Sequence, residues 1–142
     1  FEGNEAEKLG GAIYCQKSIA SITGIFKNNT AKFGGAINCK NIESIKADAR
    51  FEDNTAKLLG GAIYCEESIK SVSGTFNNNT SEYNGGAIYA EIIQEITSDA
   101  TFINNNAKSI RKWYISLFIN EKDKIIGRAI YGEVEINNGV FE

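Results

Sequence analysis

Three cysteines, Cys15, Cys39 and Cys65, are the most reactive side chains of this 142-residue chain, and they recur at near-equal intervals with no histidine anywhere in the sequence. Without His the chain lacks the commonest general base and the commonest metal ligand, so no Ser-His or Cys-His nucleophile can be built from it. Three thiols stacked in a line, with no fourth ligand, make a poor metal site, and an odd number cannot all pair as disulfides. One pairing between neighbours is within reach in principle, but the expected state is inert buried thiols. Carboxylates are the remaining route to catalysis, through the paired acid and base of polysaccharide lyases and glycosidases. Asp48 and Asp99 hold matching positions two repeat units apart, about 9.6 Å by the spacing of stacked strands. Glu66 and Glu67 follow Cys65, and none of these carboxylates is expected to stack on a partner. Neither a metal nor an organic cofactor is expected.

Charge narrows the partners further. The 18 acidic and 15 basic residues are interspersed and leave a net charge of −3, which offers no phosphate-binding surface and argues against nucleic acid. The longest apolar run, Ile115 to Ile119, is broken by Ser116 and falls far short of the roughly 20 residues of a membrane span. No signal peptide is expected within these residues, and no direct membrane insertion is expected of this segment. The chain does not start with Met and is expected to be one block of a longer repetitive protein.

The elements that must carry these residues repeat. Gly10–Cys15 and Gly60–Cys65 both read GGAIYC, Gly34–Cys39 reads GGAINC, Gly85–Ala90 reads GGAIYA, and Gly127–Tyr131 is a degraded GRAIY. A Phe-x-x-Asn motif alternates with them, at Phe1/Asn4, Phe26/Asn29, Phe51/Asn54, Phe76/Asn79 and Phe102/Asn105, so the Phe spacings are 25, 25, 25 and 26 residues. Apolar pairs three apart follow each Gly-Gly-Ala-Ile: Ile19/Ile22, Ile42/Ile45, Ile69/Val72 and Ile93/Ile96. Units one and three match best, and units two and four share a longer stretch before Phe, so the duplicated block is about 50 residues.

Paired Gly in every unit excludes helical repeats, and four Leu are too few for leucine-rich repeats. Short segments rich in Ile, Thr, Tyr and Phe, punctuated by Gly and Asn, read as strands and turns. The expected fold is all-β: a right-handed single-stranded parallel β-helix (β-solenoid) of about 25 residues and three short strands per coil. Period-2 alternation places Ile13 and Cys15 inside and Tyr14 outside. The outward rung then reads Tyr14, Asn38, Tyr64, Tyr89 and Tyr131, an aromatic ladder that could stack on sugar rings or a partner chain, or that simply suits an exposed strand. Ile45, Ala47, Ala49 and Phe51 are expected on one inward face. The Asn of Phe-x-x-Asn is expected to take a left-handed backbone at the corner and to bond along the stack. The Gly pair should serve φ > 0 or close packing.

Repeated Gly-Gly-Ala-Ile with Phe-x-x-Asn at fixed phase resembles the repeats of chlamydial-type polymorphic outer membrane proteins. That resemblance, which covers residues 1–105 and part of 127–142, implies a parallel β-helix acting in adhesion at a cell surface. The tandem organisation is also similar to the scaffoldin modules of anaerobic fungi, which implies a cohesin-like module docking partner enzymes.

Between Ala107 and Gly127 the pattern breaks, and about 16 residues are inserted at one corner. β-forming residues on either side of a polar Asn120-Glu121-Lys122-Asp123 turn predict a β-hairpin over 109–125. It would carry a partner-binding surface of Trp113, Tyr114 and Phe118 rimmed by Arg111, Lys112 and Lys124, or fold back to cover the solenoid. N-glycosylation sequons begin at Asn28, Asn78 and Asn79 and bear on function in a chain that enters a eukaryotic secretory pathway. Together these features describe residues 1–142 as a single non-catalytic module of an extracellular or cell-surface scaffold, binding protein or glycan and flanked by copies of the repeat. A passive stalk and a polysaccharide-active enzyme are the rival readings.

Overall fold

The computed structural model describes residues 1–108 and 129–142. The expected hairpin at 109–125, with Arg111, Lys112, Trp113, Tyr114, Phe118 and Lys124, lies outside the described residues. The strands are β1 (Ile13–Ile19), β2 (Ile25–Lys27), β3 (Thr30–Phe33), β4 (Ile37–Ile45), β5 (Arg50–Glu52), β6 (Thr55–Leu59), β7 (Ile63–Asn77), β8 (Thr80–Ser81), β9 (Ile88–Ile103), β10 (Asn106–Ala107), β11 (Ile130–Asn137) and β12 (Val140–Phe141). Every strand pairs in parallel with its equivalent one coil away. The chain is therefore a parallel β-solenoid, with one eight-stranded sheet and a second of four strands, β3-β6-β8-β10. In the first two coils the eight-stranded sheet is split at a corner; in coils three and four the two parts join into the single long strands β7 and β9.

Register follows the repeat residue by residue. Phe26, Phe51, Phe76, Phe102 and Phe141 are successive partners, as are Ile13, Ile37, Ile63, Ile88 and Ile130. The Phe rings stack with centroids 4.8–4.9 Å apart and planes within 8° of parallel, Phe1 included. Each buried Phe or Ile contributes about 1.5–3 kcal/mol through removal of apolar surface from water. The apolar pairs spaced by three, expected to turn inward at a bend despite their odd spacing, are both buried in coils two to four.

Two expectations are corrected at the corners. The left-handed residue is not the repeating Asn but the one before it: Asn28, Asp53, Asn78 and Asn104 have φ of 52–55°. The repeating Asn stays buried and forms an amide ladder. Asn29, Asn54 and Asn79 each use both amide hydrogens, one to the next Asn Oδ1 at 2.9 Å and one to a Phe carbonyl of the preceding coil at 2.9–3.0 Å. The backbone N–H of each also donates to the next Oδ1 at 3.0–3.1 Å. No donor of these buried side chains is left over, which is what burial of a polar group demands.

Ala47 is exposed, not inward. Coil two has two residues more than coil one between the apolar pair and Phe, and they are extruded as a turn at Lys46–Asp48, where Ala49 N–H donates to the Lys46 carbonyl at 3.0 Å. Coil four repeats the device at Thr97–Asp99, where the register of β9 on β7 shifts. Asp48 and Asp99 both project from these bulges into solvent, and Asp48 accepts a 2.6 Å bond from the Thr23 hydroxyl.

The Gly pair divides its work. Gly34 has φ 63°, and at Gly35 an added Cβ would lie 2.2 Å from the Gly61 carbonyl oxygen of the next coil. Only hydrogen fits there, so the corner needs both Gly.

Candidate functional site

The outward rung of the first strand position is the most distinctive surface. Tyr14 is paired in register with Asn38, Asn38 with Tyr64, Tyr64 with Tyr89 and Tyr89 with Tyr131. Each Tyr follows an inward Ile in a parallel ladder, so alternation turns it outward. Tyr64 and Tyr89 stack at 5.0 Å, and Tyr89 and Tyr131 at 4.8 Å, with planes within 10°. Tyr14 stands apart, half exposed at 50%. The stacked rings occupy one another's faces, so coils three to five present ring edges and hydroxyls, while Tyr14 presents an open ring face.

Asn38 does not behave as an outward residue. It is 1% exposed, and neither its amide nitrogen nor its oxygen has a hydrogen-bond partner. Phe33, from the neighbouring corner, packs on Tyr64 at 5.4 Å and carries the Lys32 ammonium 5.7 Å above its ring. Leu9, Phe33 and Leu59 are successive ladder partners, so an apolar row runs along that corner. The sequence signal for this row is the bulky apolar residue before each of the first three Gly pairs; Asn84 takes its place before the fourth.

Carboxylates flank the column. The expectation that Glu66 has no stacked partner is corrected: Glu66 and Glu91 each stand two residues after a paired Tyr in adjacent coils, and both act on Tyr64. Burial, then these two carboxylates, hold the Tyr64 hydroxyl above its ordinary pKa. Tyr89 is raised by burial and then by Tyr131, Tyr64 and Glu91, because each nearby negative charge disfavours a phenolate. Farther along, cross-coil pairs tie the surface: Lys40 to Glu67 at 3.0 Å, Lys70 to Glu43, and Asn41 to Glu67 at 2.9 Å. Glu67 is held below the usual carboxylate range by its bonds from Asn41 and Lys40. These are solvent-exposed pairs and add little stability.

The cysteines lie in register on the inward side of the same strands, as free thiols, with Cys39 and Cys65 buried and Cys15 partly so. The Cys65 Sγ is 3.3 Å from the carbonyl oxygens of Lys40 and Ser68. Contact with Cys65 and burial push the Cys39 thiol far up, so it stays protonated and unreactive.

The sequence pattern of the Chlamydia polymorphic membrane protein (Chlamydia_PMP) repeat matches residues 1–16, 23–40, 48–66 and 73–91, together half of the chain. The chain belongs to this repeat family. Each of the four Chlamydia polymorphic membrane protein repeats spans the amide-ladder corner and the Gly-Gly-Ala-Ile entry into the next coil, the two places where the fold leaves least choice of side chain. No curated protein and no solved structure matches the chain. Among the described residues no helix is long and apolar enough to cross a membrane. As a polymorphic membrane protein repeat the chain is a surface-associated repeat protein, and its solenoid is the architecture of a repeat module.

Proposed function

We propose that this chain is a non-catalytic adhesion module, displayed at a cell surface, that binds a protein or glycan partner. The observation that carries the reading is the outward Tyr rung. Inward positions repeat because the core demands them, whereas most outward positions vary among Ser, Lys, Glu and Thr. Tyr recurs outward at four of five rungs although the interior gains nothing from it there. Tyrosine supplies large, rigid contact area with a polar tip, the type that dominates binding surfaces. The segment 109–125, with Trp113, Tyr114 and Phe118 between Arg111, Lys112 and Lys124, would add a second contact region.

The test is binding of the purified chain to cultured cells and to a glycan array, compared with two variants. Tyr14→Ser with Tyr89→Ser, and deletion of 109–125, are each expected to lower binding at least tenfold while β-type circular dichroism is kept. Absence of binding by the unaltered chain, or full binding by both variants, overturns the proposal.

A further inference from the structure

Three sequons lie at equivalent corners, Asn28-Asn29-Thr30 and the overlapping Asn78-Asn79-Thr80 and Asn79-Thr80-Ser81. The sequence treats them alike, but the structure does not. Asn28 and Asn78 are the left-handed residues of their corners, with φ of 54° and 55°, and both are exposed. Their backbone N–H groups hold the stack, donating to the Glu52 and Ile103 carbonyls at 3.1 and 3.0 Å. Their side-chain amides make no hydrogen bond among the described residues. Asn79 is fully buried, and its amide donates to Asn105 Oδ1 and to the Phe51 carbonyl, both at 2.9 Å. A sugar on that nitrogen would remove one of these bonds and would have no room.

We propose that, when the chain passes through a eukaryotic secretory pathway, Asn28 and Asn78 are N-glycan acceptor sites and Asn79 is not. The reaction is transfer from a lipid-diphosphate-linked oligosaccharide by an oligosaccharyltransferase. The Asn Nδ2 forms a bond to C1 of the first sugar as the C1–O bond to the diphosphate breaks. The lipid diphosphate leaves with the bonding electrons, and one amide proton goes to the medium. The hydroxyl of Thr30 or Thr80 supplies the recognition that the sequon requires.

Spacing favours the pair. The coil between them carries Asp53 at the same corner, with the same φ of 54° and also exposed. The two acceptors are therefore two rungs apart, about 9.6 Å at the usual strand spacing, which gives each glycan twice the room that adjacent rungs would. Both would project from one edge of the solenoid, at the corner between β2 and β3 and its equivalent between β7 and β8.

The alternative origin of these sequons is purely structural: Asn for the left-handed position, Asn for the ladder, Thr to open the next strand. Secretion of the 142-residue chain from a eukaryotic host tests which of the three sequons can carry a glycan. Intact mass and peptide mapping after peptide-N-glycosidase treatment are expected to show glycan on Asn28 and Asn78 only. Asn28→Asp should lose one glycan and the Asn28→Asp/Asn78→Asp double variant both. Asp53 shows that Asp is tolerated at this corner, so circular dichroism should be unchanged. Ser81→Ala, which removes only the Asn79 sequon and matches Ala31 and Ala56 at the same rung, should change nothing. An unglycosylated secreted chain, a glycan on Asn79, or occupancy of only one of the two acceptors overturns the proposal.

Discussion

At the residue scale, two asparagines show how little residue type says without position. Asn54 and Asn38 are both buried in parallel ladders, yet Asn54 has every amide group bonded and Asn38 has neither. Asn54→Leu leaves the Asn29 backbone N–H without its acceptor, and takes away one of the two bonds of Asn29 Nδ2, one of the two donors to Asn79 Oδ1 and the side-chain bond to the Phe26 carbonyl; unfilled buried groups cost about 1–3 kcal/mol each in mutational data. We expect a loss of about 3 kcal/mol or more in urea-unfolding free energy. Asn38→Leu removes a buried amide that already has no partner and replaces it by a side chain of similar size. Its unfolding free energy should be unchanged or higher. If both substitutions destabilise equally, the ladder is not what distinguishes the two sites. The ladder role of Asn54 was legible in the sequence because Asn recurs there at a fixed phase. The left-handed role was legible too, since the residue two after Phe is Gly, Asn, Asp, Asn and Asn in turn, but it is one place earlier than the invariant Asn suggests. The burial of Asn38 was not, because it stands in the same outward rung as the tyrosines, which are half-buried or, at Tyr14, half-exposed.

At the scale of the strand, the fold follows from repetition itself: a side chain that fits one rung fits the next, so Phe, Ile and Asn columns declare their faces directly. Strict alternation fails where the chain leaves the ladder, as at Ala47, because the two extra residues of coil two must be placed outside a cross-section already filled. The Tyr column is a property of several strands together, and its titration is a test of it. Tyr64 and Tyr89 have folded-state pKa values raised above the ordinary value near 10, by burial and then by Glu66 and Glu91 for Tyr64 and by Tyr131, Tyr64 and Glu91 for Tyr89. A neutral form favoured in the fold means that the folded state holds more protons than the unfolded chain once pH exceeds about 10, so stability must fall from there upward. Below that pH the contribution is complete and flat. Denaturant titrations from pH 8 to 11.5 should show this decline, and Tyr64→Phe/Tyr89→Phe, which keeps the stacked rings, should make the curve shallower. An identical slope in the double variant would show that the two phenols are not the groups responsible.

At the scale of the whole molecule, contacts are almost entirely between one coil and the next, so stability is closer to a sum of interfaces than to one indivisible core. The interfaces are not equal. Ile37, Cys39 and Ile42 of coil two are buried, whereas Ile13, Cys15 and Ile19 of the first coil are only partly so. Gly35 lies on the interface between coils two and three, its Cβ position 2.2 Å from the Gly61 carbonyl and 2.7 Å from that of Thr55. An Ala there must push those two coils apart, since both obstructions are backbone and neither can rotate away. Loss of one interface in a nearest-neighbour stack should uncouple the parts on either side of it. Native-state hydrogen exchange on Gly35→Ala is therefore expected to show amides of β1 and β4 losing protection by about 10- to 100-fold relative to those of β7 and β9, which retain their own interface. In the unaltered chain the same experiment should find β1 exchanging first and β7 and β9 last. A uniform loss of protection across all four strands would mean that the solenoid opens as a single unit, and that the strong coupling of the amide and Phe columns outweighs the one-dimensional arrangement of its contacts.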